Sequence, residues 1–402
     1  MTERLRLALI GCGGIARLHV RGYGLLKEKD PQLFDLVAVC DTDNARAEQV
    51  AAIAMQWGQE RPRIYRDVSE LLRDGGIDGA DICLPHFLHH TVGIACMEAG
   101  VNVQIEKPVG ITIRATRQLI AASRRTGVIL ATAEQVRRMP GPRTAHWAIH
   151  QQGMLGTPEV FFVQATTDRT FNPNQPWVWR FDKLLGGGGP VLDAGAHFCD
   201  TMRYLWGECD TVYGSVRRFA QGTFRKGEEQ VADTREDTFT ALLNFRNGVT
   251  GTWTVINRAM PAPMNNVIYY GSEGALSDRG NPFHGPRLSA TLTRRDGHEY
   301  RLADLYEQYL NALPPDERER LFPFGLTDGF ALEVCDFLFS IRDGRQPETD
   351  GEAGLHAKAI AYAIYESAAA NQVMRVADIE DGKQAVYQQP IDERWNIGEA
   401  RI

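Results

Sequence analysis

Leu5-Arg6-Leu7-Ala8-Leu9-Ile10-Gly11-Cys12-Gly13-Gly14-Ile15-Ala16 is the stretch on which the fold turns. Its first six residues are apolar except for Arg6, as expected of a strand buried on both faces. Gly11, Gly13 and Ala16 then fall in the spacing G-x-G-x-x-G/A, while Ile15, Leu18, Gly22 and Leu25 recur at helical intervals. Strand, glycine turn and helix in that order suit a dinucleotide pyrophosphate, which needs a tight turn, a close backbone approach and a helix N-terminus aimed at its charge. Gly11, Gly13, Gly14, Ile15 and Ala16 are therefore the expected cofactor-binding turn. The next apolar run, Leu36 to Cys40, ends at Asp41, 25 residues beyond Ala16. A carboxylate there accepts from ribose hydroxyls and repels a 2′-phosphate, so NAD is expected over NADP.

Outward from this turn the alternation continues. A helix is predicted over residues 44–57, a strand over 80–84, a helix over 92–98, a strand over 101–105, a helix over 113–124 and a strand over 128–132. Such βαβ repetition predicts an α/β Rossmann domain with a doubly wound parallel sheet over residues 1–145. Ligands in these sheets sit beyond the carboxyl ends of the strands, which puts Pro85, His89, Glu106 and Lys107 at the cofactor crevice. After residue 145 the pattern changes to consecutive strands at 160–166, 212–216, 238–245, 249–255, 266–270 and 288–293, separated by turns such as Arg246-Asn247-Gly248. Helices at 329–342 and 354–370 follow. This predicts an α+β domain over 146–375 with a large, mainly antiparallel open sheet. Residues 376–402 are polar but carry Trp395, and read as a tail or as an arm packing on a neighbour.

The chain has 402 residues, 43% hydrophobic and 24% charged, with a net charge of -7. That composition is globular, and the acidic balance argues against a nucleic-acid or anionic-membrane partner. The seven cysteines are scattered with no C-x-x-C pair, and no apolar run approaches a membrane span. Reduced thiols and a cytoplasmic location are expected. His146 and His150 have the i, i+4 spacing of a metal pair, but Trp147 replaces the glutamate of H-E-x-x-H and no third ligand is evident, so no metal is expected.

The second informative stretch is Gly186-Gly187-Gly188-Gly189-Pro190-Val191-Leu192-Asp193-Ala194-Gly195-Ala196-His197. A glycine loop runs into a helix, and a helix starting near Pro190 would put Asp193 and His197 on one face. Upstream, Trp177-Val178-Trp179-Arg180 offers aromatic faces and a guanidinium. Trp179 and Arg180 suit a sugar's C–H face and hydroxyls, although packing explains the tryptophans equally well.

Four features coincide: the G-x-G-G-I-A turn, Pro85 with His89 four residues on, Glu106-Lys107-Pro108, and Gly187-Gly188-Gly189 followed by Asp193, Gly195, His197 and Asp200. Together they resemble the glucose-fructose oxidoreductase/inositol dehydrogenase/rhizopine catabolism (Gfo/Idh/MocA) family over residues 5–372. The resemblance implies a nicotinamide cofactor between a Rossmann domain and a substrate domain, and an open sheet that makes oligomer contacts in a homodimer or homotetramer. It implies Lys107, Asp193 and His197 as the catalytic group, and often a cis bond before Pro108. The residue chemistry agrees. Oxidising a carbinol requires a base for the hydroxyl proton, histidine titrates near neutral pH, and the Lys107 charge favours the alkoxide. Lys107, Trp179, Arg180, Asp193 and His197 are the expected substrate contacts. The expected reaction is hydride transfer at a sugar, cyclitol or sugar derivative. Two alternatives stay open: an oxidative NAD-dependent glycosidase, with segment 279–327 bordering a pocket for a larger glycoside, and a non-catalytic cofactor-sensing regulator.

Overall fold

Strand and helix alternate through the first third of the chain, as its apolar runs require. A computed structural model describes residues 4–166, 178–219, 221–257, 264–280 and 282–398. Leu5–Ile10 (β1), Phe34–Cys40 (β2), Arg63–Tyr65 (β3), Gly79–Ile82 (β4), Asn102–Glu106 (β5) and Leu130–Ala133 (β6) form one sheet in the order β3-β2-β1-β4-β5-β6. Every neighbouring pair is parallel. The order reverses between β1 and β4, and the turns after these two strands meet there. Gly11 has φ +91°, and a Cβ on it would overlap the Cys83 carbonyl oxygen, so only glycine fits.

A helix from late in the chain completes this first unit. Gly329–Asp343 packs on the helix Ala16–Lys29, where a Cβ on Gly22 would come within 2.9 Å of the Ala331 nitrogen. Thr132 N donates to Thr349 O at 2.7 Å, so residues near 349 cover the free edge of β6. The compact units are accordingly residues 1–135 with 316–354 and 398–402, and residues 136–315 with 355–397. The linear division at 145 and 375 misses this return because an amphipathic helix does not announce which sheet it will cover.

The interior of the first unit holds a polar cluster. His19 is fully buried; its Nδ1 lies 2.8 Å from Asp81, and its Nε2 lies 2.9 Å from Glu106 and 3.6 Å from Glu333. Tyr23 donates to the same Asp81 carboxylate. Burial alone would lower the His19 pKa, but the charge and hydrogen bond of Asp81 hold it well above the usual histidine range.

The second unit carries Pro158–Thr166 (β7), Cys209–Arg217 (β8), Thr223–Lys226 (β9), Glu229–Ala232 (β10), Thr238–Phe245 (β11), Thr250–Ile256 (β12), Asn265–Gly271 (β13), Gly274–Asp278 (β14), Thr291–Arg294 (β15), Glu299–Arg301 (β16) and Met374–Arg375 (β17). Nine of them form a sheet in the order β16-β15-β14-β13-β7-β12-β11-β8-β17, and β9 and β10 form a separate hairpin. All pairs in the large sheet are antiparallel except β7 with β12, so it is mixed. The short strands β9, β10, β14, β16 and β17 lack the apolar alternation that marks the long ones. On one face Phe161, Trp253, Ala241 and Tyr269 are buried, and Trp253 stacks on Phe198 of the helix Gly195–Trp206 at 4.1 Å between ring centroids. On the other, Phe162, Tyr213, Leu242 and Tyr270 stay 37–42% exposed. Past β17 the chain forms the helices Val376–Glu380 and Gln389–Trp395, which fold onto the chain's own second unit. Residues 376–397 thus form an ordered part of the second unit.

Candidate active site

In the first unit the glycine turn closes β1, and Ile15 caps the helix Ala16–Lys29. A Cβ on Gly13 or Gly14 would meet nothing within 4 Å, so no protein atom demands glycine there. The open side of the turn leaves room for a ligand to approach the backbone, which fits a pyrophosphate. Asp41 pins the turn, its carboxylate accepting from Cys12 N and Asp43 N, each at 2.7 Å. Burial, aided by the Asp41 charge, pushes the Cys12 thiol up to about 12, which makes it inert beside the turn.

Pro85 caps the helix His86–Glu98, which begins six residues earlier than the apolar periodicity alone predicts, because proline favours a helix start. His89 is fully buried between two backbone carbonyls, its Nδ1 3.0 Å from Pro108 O and its Nε2 2.8 Å from Leu84 O. It thereby ties the turn after β4 to the turn after β5. Glu106 points inward to His19, Lys107 is half-buried at the end of β5, and the Lys107–Pro108 bond is cis.

The second unit supplies Trp179, Arg180, Asp193 and His197. Three of them meet: Arg180 Nε lies 3.1 Å from Asp193 Oδ2, and its guanidinium sits 4.4 Å from the centroid of the Trp179 ring. Trp177 lies outside the described residues. The regular helix starts at Gly195, and residues 189–194 form a looser helical turn in which Asp193 N donates to Gly189 O at 2.9 Å and Gly195 N to Pro190 O at 2.9 Å. The helix therefore begins later than a start at Pro190 would place it. Ala194 is the cap residue and makes no side-chain cap bond. Asp193 is thus not the cap residue, and its carboxylate pairs with Arg180.

His197 is 5% exposed, and the ring of His284 meets it edge to face, 5.3 Å between centroids at 83°. His284 was not foreseen; the only signal for it is a histidine in the turn-rich Pro282-Phe283-His284-Gly285-Pro286 of segment 279–327. Glu236 was also missed. It is buried and accepts from Gly189 N at 2.9 Å, Val191 N at 3.0 Å and the Tyr365 hydroxyl at 2.7 Å. Burial raises its pKa against these bonds, which favour the charged form. The His146 and His150 rings lie 4.6 Å apart, tilted by 49°, where the chain passes into the π-helix Trp147–Gln151, and His146 stacks on Tyr204 at 4.5 Å. Burial and the neighbouring His150 push His146 down to about 4.

Residues 5–134 match the family described as "Oxidoreductase family, NAD-binding Rossmann fold", and residues 151–376 match its "C-terminal alpha/beta domain". The chain belongs to the Gfo/Idh/MocA oxidoreductase family. Among its relatives, a D-apiose dehydrogenase from Paraburkholderia graminis is 27% identical over 96% of this chain and 93% of its own. A myo-inositol 2-dehydrogenase from Thermotoga maritima is 26% identical over 93% and 99% of the two chains. A solved NAD binding oxidoreductase from Klebsiella pneumoniae superposes with a TM-score of 0.75 at 26% identity, covering 93% of this chain and 99% of that one. This member of the family is therefore an enzyme, an oxidoreductase whose amino-terminal unit is of the NAD-binding kind. No helix among its described residues is long and apolar enough to cross a membrane.

Proposed function

We propose that this oxidoreductase moves a hydride between NAD and a secondary alcohol or ketone of a sugar, cyclitol or sugar derivative, with Lys107, Asp193 and His197 as its catalytic residues. The observation that carries the reading is the Arg180–Asp193 pair beside the turn that leads to a nearly buried His197. Gly11, Gly13, Gly14, Ile15, Ala16 and Asp41 hold the cofactor, with Pro85, His89, Glu106 and Lys107 lining its crevice or bracing it. When bound, the nicotinamide supplies the hydride acceptor or donor. His197 takes the hydroxyl proton in the oxidative direction and returns it in the reductive one. The Lys107 ammonium stabilises negative charge on the reacting oxygen. Asp193, neutralised by Arg180, offers an acceptor for a hydroxyl, and Trp179 offers an apolar face. The relatives named above act on a sugar and a cyclitol, which supports the substrate class.

A screen of sugars, cyclitols and glycosides with NAD, read at the nicotinamide absorbance, tests the assignment. Net NADH formation is expected; sugar release with catalytic NAD would favour the oxidative glycosidase instead. A sensor needs no base, so the presence of Lys107, Asp193 and His197 together speaks against that reading. Asp41→Ser is expected to narrow the preference for NAD over NADP. Equal or better kcat/KM with NADP in the unmodified enzyme would refute the role given to Asp41.

The exposed Phe162, Tyr213, Leu242 and Tyr270 share one sheet face and call for a cover. A homodimer or homotetramer built on that face is expected, and a monomeric mass by light scattering at micromolar concentration would count against it. The seven buried cysteines support a reducing, cytoplasmic setting.

A further inference from the structure

The family match ends at residue 376, and the helices of the carboxy-terminal arm lie almost wholly beyond it. That arm is fixed at several points. Tyr387 lies flat on Tyr365, 4.2 Å between centroids and 5° between planes. Tyr387 N and the Gln388 side chain donate to Glu366 at 2.8 and 3.1 Å. Trp395 Nε1 donates to Leu184 O at 2.6 Å, and Lys183 Nζ sits 3.5 Å from the centroid of the Tyr387 ring. Lys183 and Leu184 open the short helix Lys183–Gly186 that leads into the glycine loop.

The other side of the same loop is held through Tyr365, whose hydroxyl donates to Glu236, which in turn holds Gly189 N and Val191 N. Tyr365 and Glu236 approach so closely that a Cβ on Gly188 would overlap the Tyr365 hydroxyl, and one on Gly189 would lie 2.6 Å from Glu236. Stacked tyrosines, a buried carboxylate and two backbone amides thus run from the arm to the turn that bears Asp193 and leads to His197.

We propose that the arm, residues 377–397, is a positioning element for the loop 184–194, with Tyr387 and Trp395 as positioning residues for the base and its acid. The proposal rests on Asp193 and His197 being catalytic. Loosening the stack or the Trp395 bond frees the loop, and a displacement of about 1 Å costs on the order of 10²-fold in turnover. Cofactor affinity is unaffected, because the glycine turn belongs to the other unit.

Hydrogen exchange and kinetics on Tyr387→Leu, Tyr387→Phe and Trp395→Phe test it. Tyr387→Leu and Trp395→Phe should speed amide exchange in 184–194 by at least ~10-fold while leaving 5–16 unchanged. They should lower kcat/KM for the best sugar or cyclitol of the screen by ~10- to 10²-fold, with NADH affinity held within about 2-fold. Tyr387→Phe keeps the stacked ring and should restore both readouts. If Tyr387→Leu fails to fold, Trp395→Phe carries the same measurements. Unchanged exchange in 184–194, or equal acceleration in 5–16, overturns the proposal. A fully active His197→Ala enzyme would instead refute the catalytic reading, and the exchange result would still decide whether the arm holds the loop.

Discussion

His197→Ala should lower kcat by at least ~10²-fold, and Lys107→Ala should do the same, because in the proposed mechanism one takes the hydroxyl proton and the other stabilises the oxygen it leaves. The two act on a single proton transfer, so the double variant should be far less impaired than the product of the single losses. Cofactor affinity should change little in His197→Ala. Asp193→Asn belongs to the same experiment. It should cost activity and alter the pH profile, while melting temperature changes little: Ala194, not Asp193, caps the helix, and the Arg180 pair is partly exposed, which limits its contribution to about 0–1 kcal/mol. Turnover and melting temperature measured on one protein decide the matter. A destabilised but fully active Asp193→Asn enzyme would show that the pair is structural.

Two glycines of one turn should respond in opposite ways. Gly11→Ala should destabilise the fold by several kcal/mol, on the order of 1–3 from the positive φ alone plus the overlap with Cys83 O. Gly13→Val should leave melting temperature nearly unchanged, because its side chain enters open space. It should nevertheless weaken NADH binding by at least ~10²-fold, about 2.7 kcal/mol, since the proposed cofactor site puts the pyrophosphate in that space. A fluorescence titration with NADH and a thermal melt on each variant read both effects. A Gly13→Val protein that binds NADH like the unmodified enzyme would remove the turn from the cofactor site.

Five strands of the parallel sheet were legible, most clearly where an apolar run is followed at once by its turn chemistry, as at Ile10-Gly11 and Cys40-Asp41; Arg63–Tyr65 was not, because three residues beginning with an exposed arginine carry no apolar run. The long strands of the second unit were legible from alternation, Thr238–Phe245 among them. The late helix Gly329–Asp343 was seen as a helix, yet its partner was not, because Gly22 reads as one more small residue until Ala331 is found above it. Of the proposed site residues, Lys107, Asp193 and His197 stand in motifs with local spacing. Glu236 and His284 do not; both act on residues far away in sequence, and an isolated glutamate in Thr234-Arg235-Glu236-Asp237 has no feature to distinguish it from a surface charge. The Arg180–Asp193 pair lies between these extremes, since both residues were singled out but nothing in the sequence joined them.

The return of residues 316–354 to the first unit bears on how the molecule is born. When residue 135 leaves the ribosome, the face of the first helix that bears Gly22 and His19 still lacks the helix carrying Ala331 and Glu333. The whole of 136–315 must be synthesised first, a wait on the order of tens of seconds at the usual ~5–20 residues per second. During that interval the helix face bearing Gly22 and His19 stands without its cover on the nascent chain. The half of the enzyme translated first therefore cannot be completed until residues 316–354 have followed the whole of 136–315.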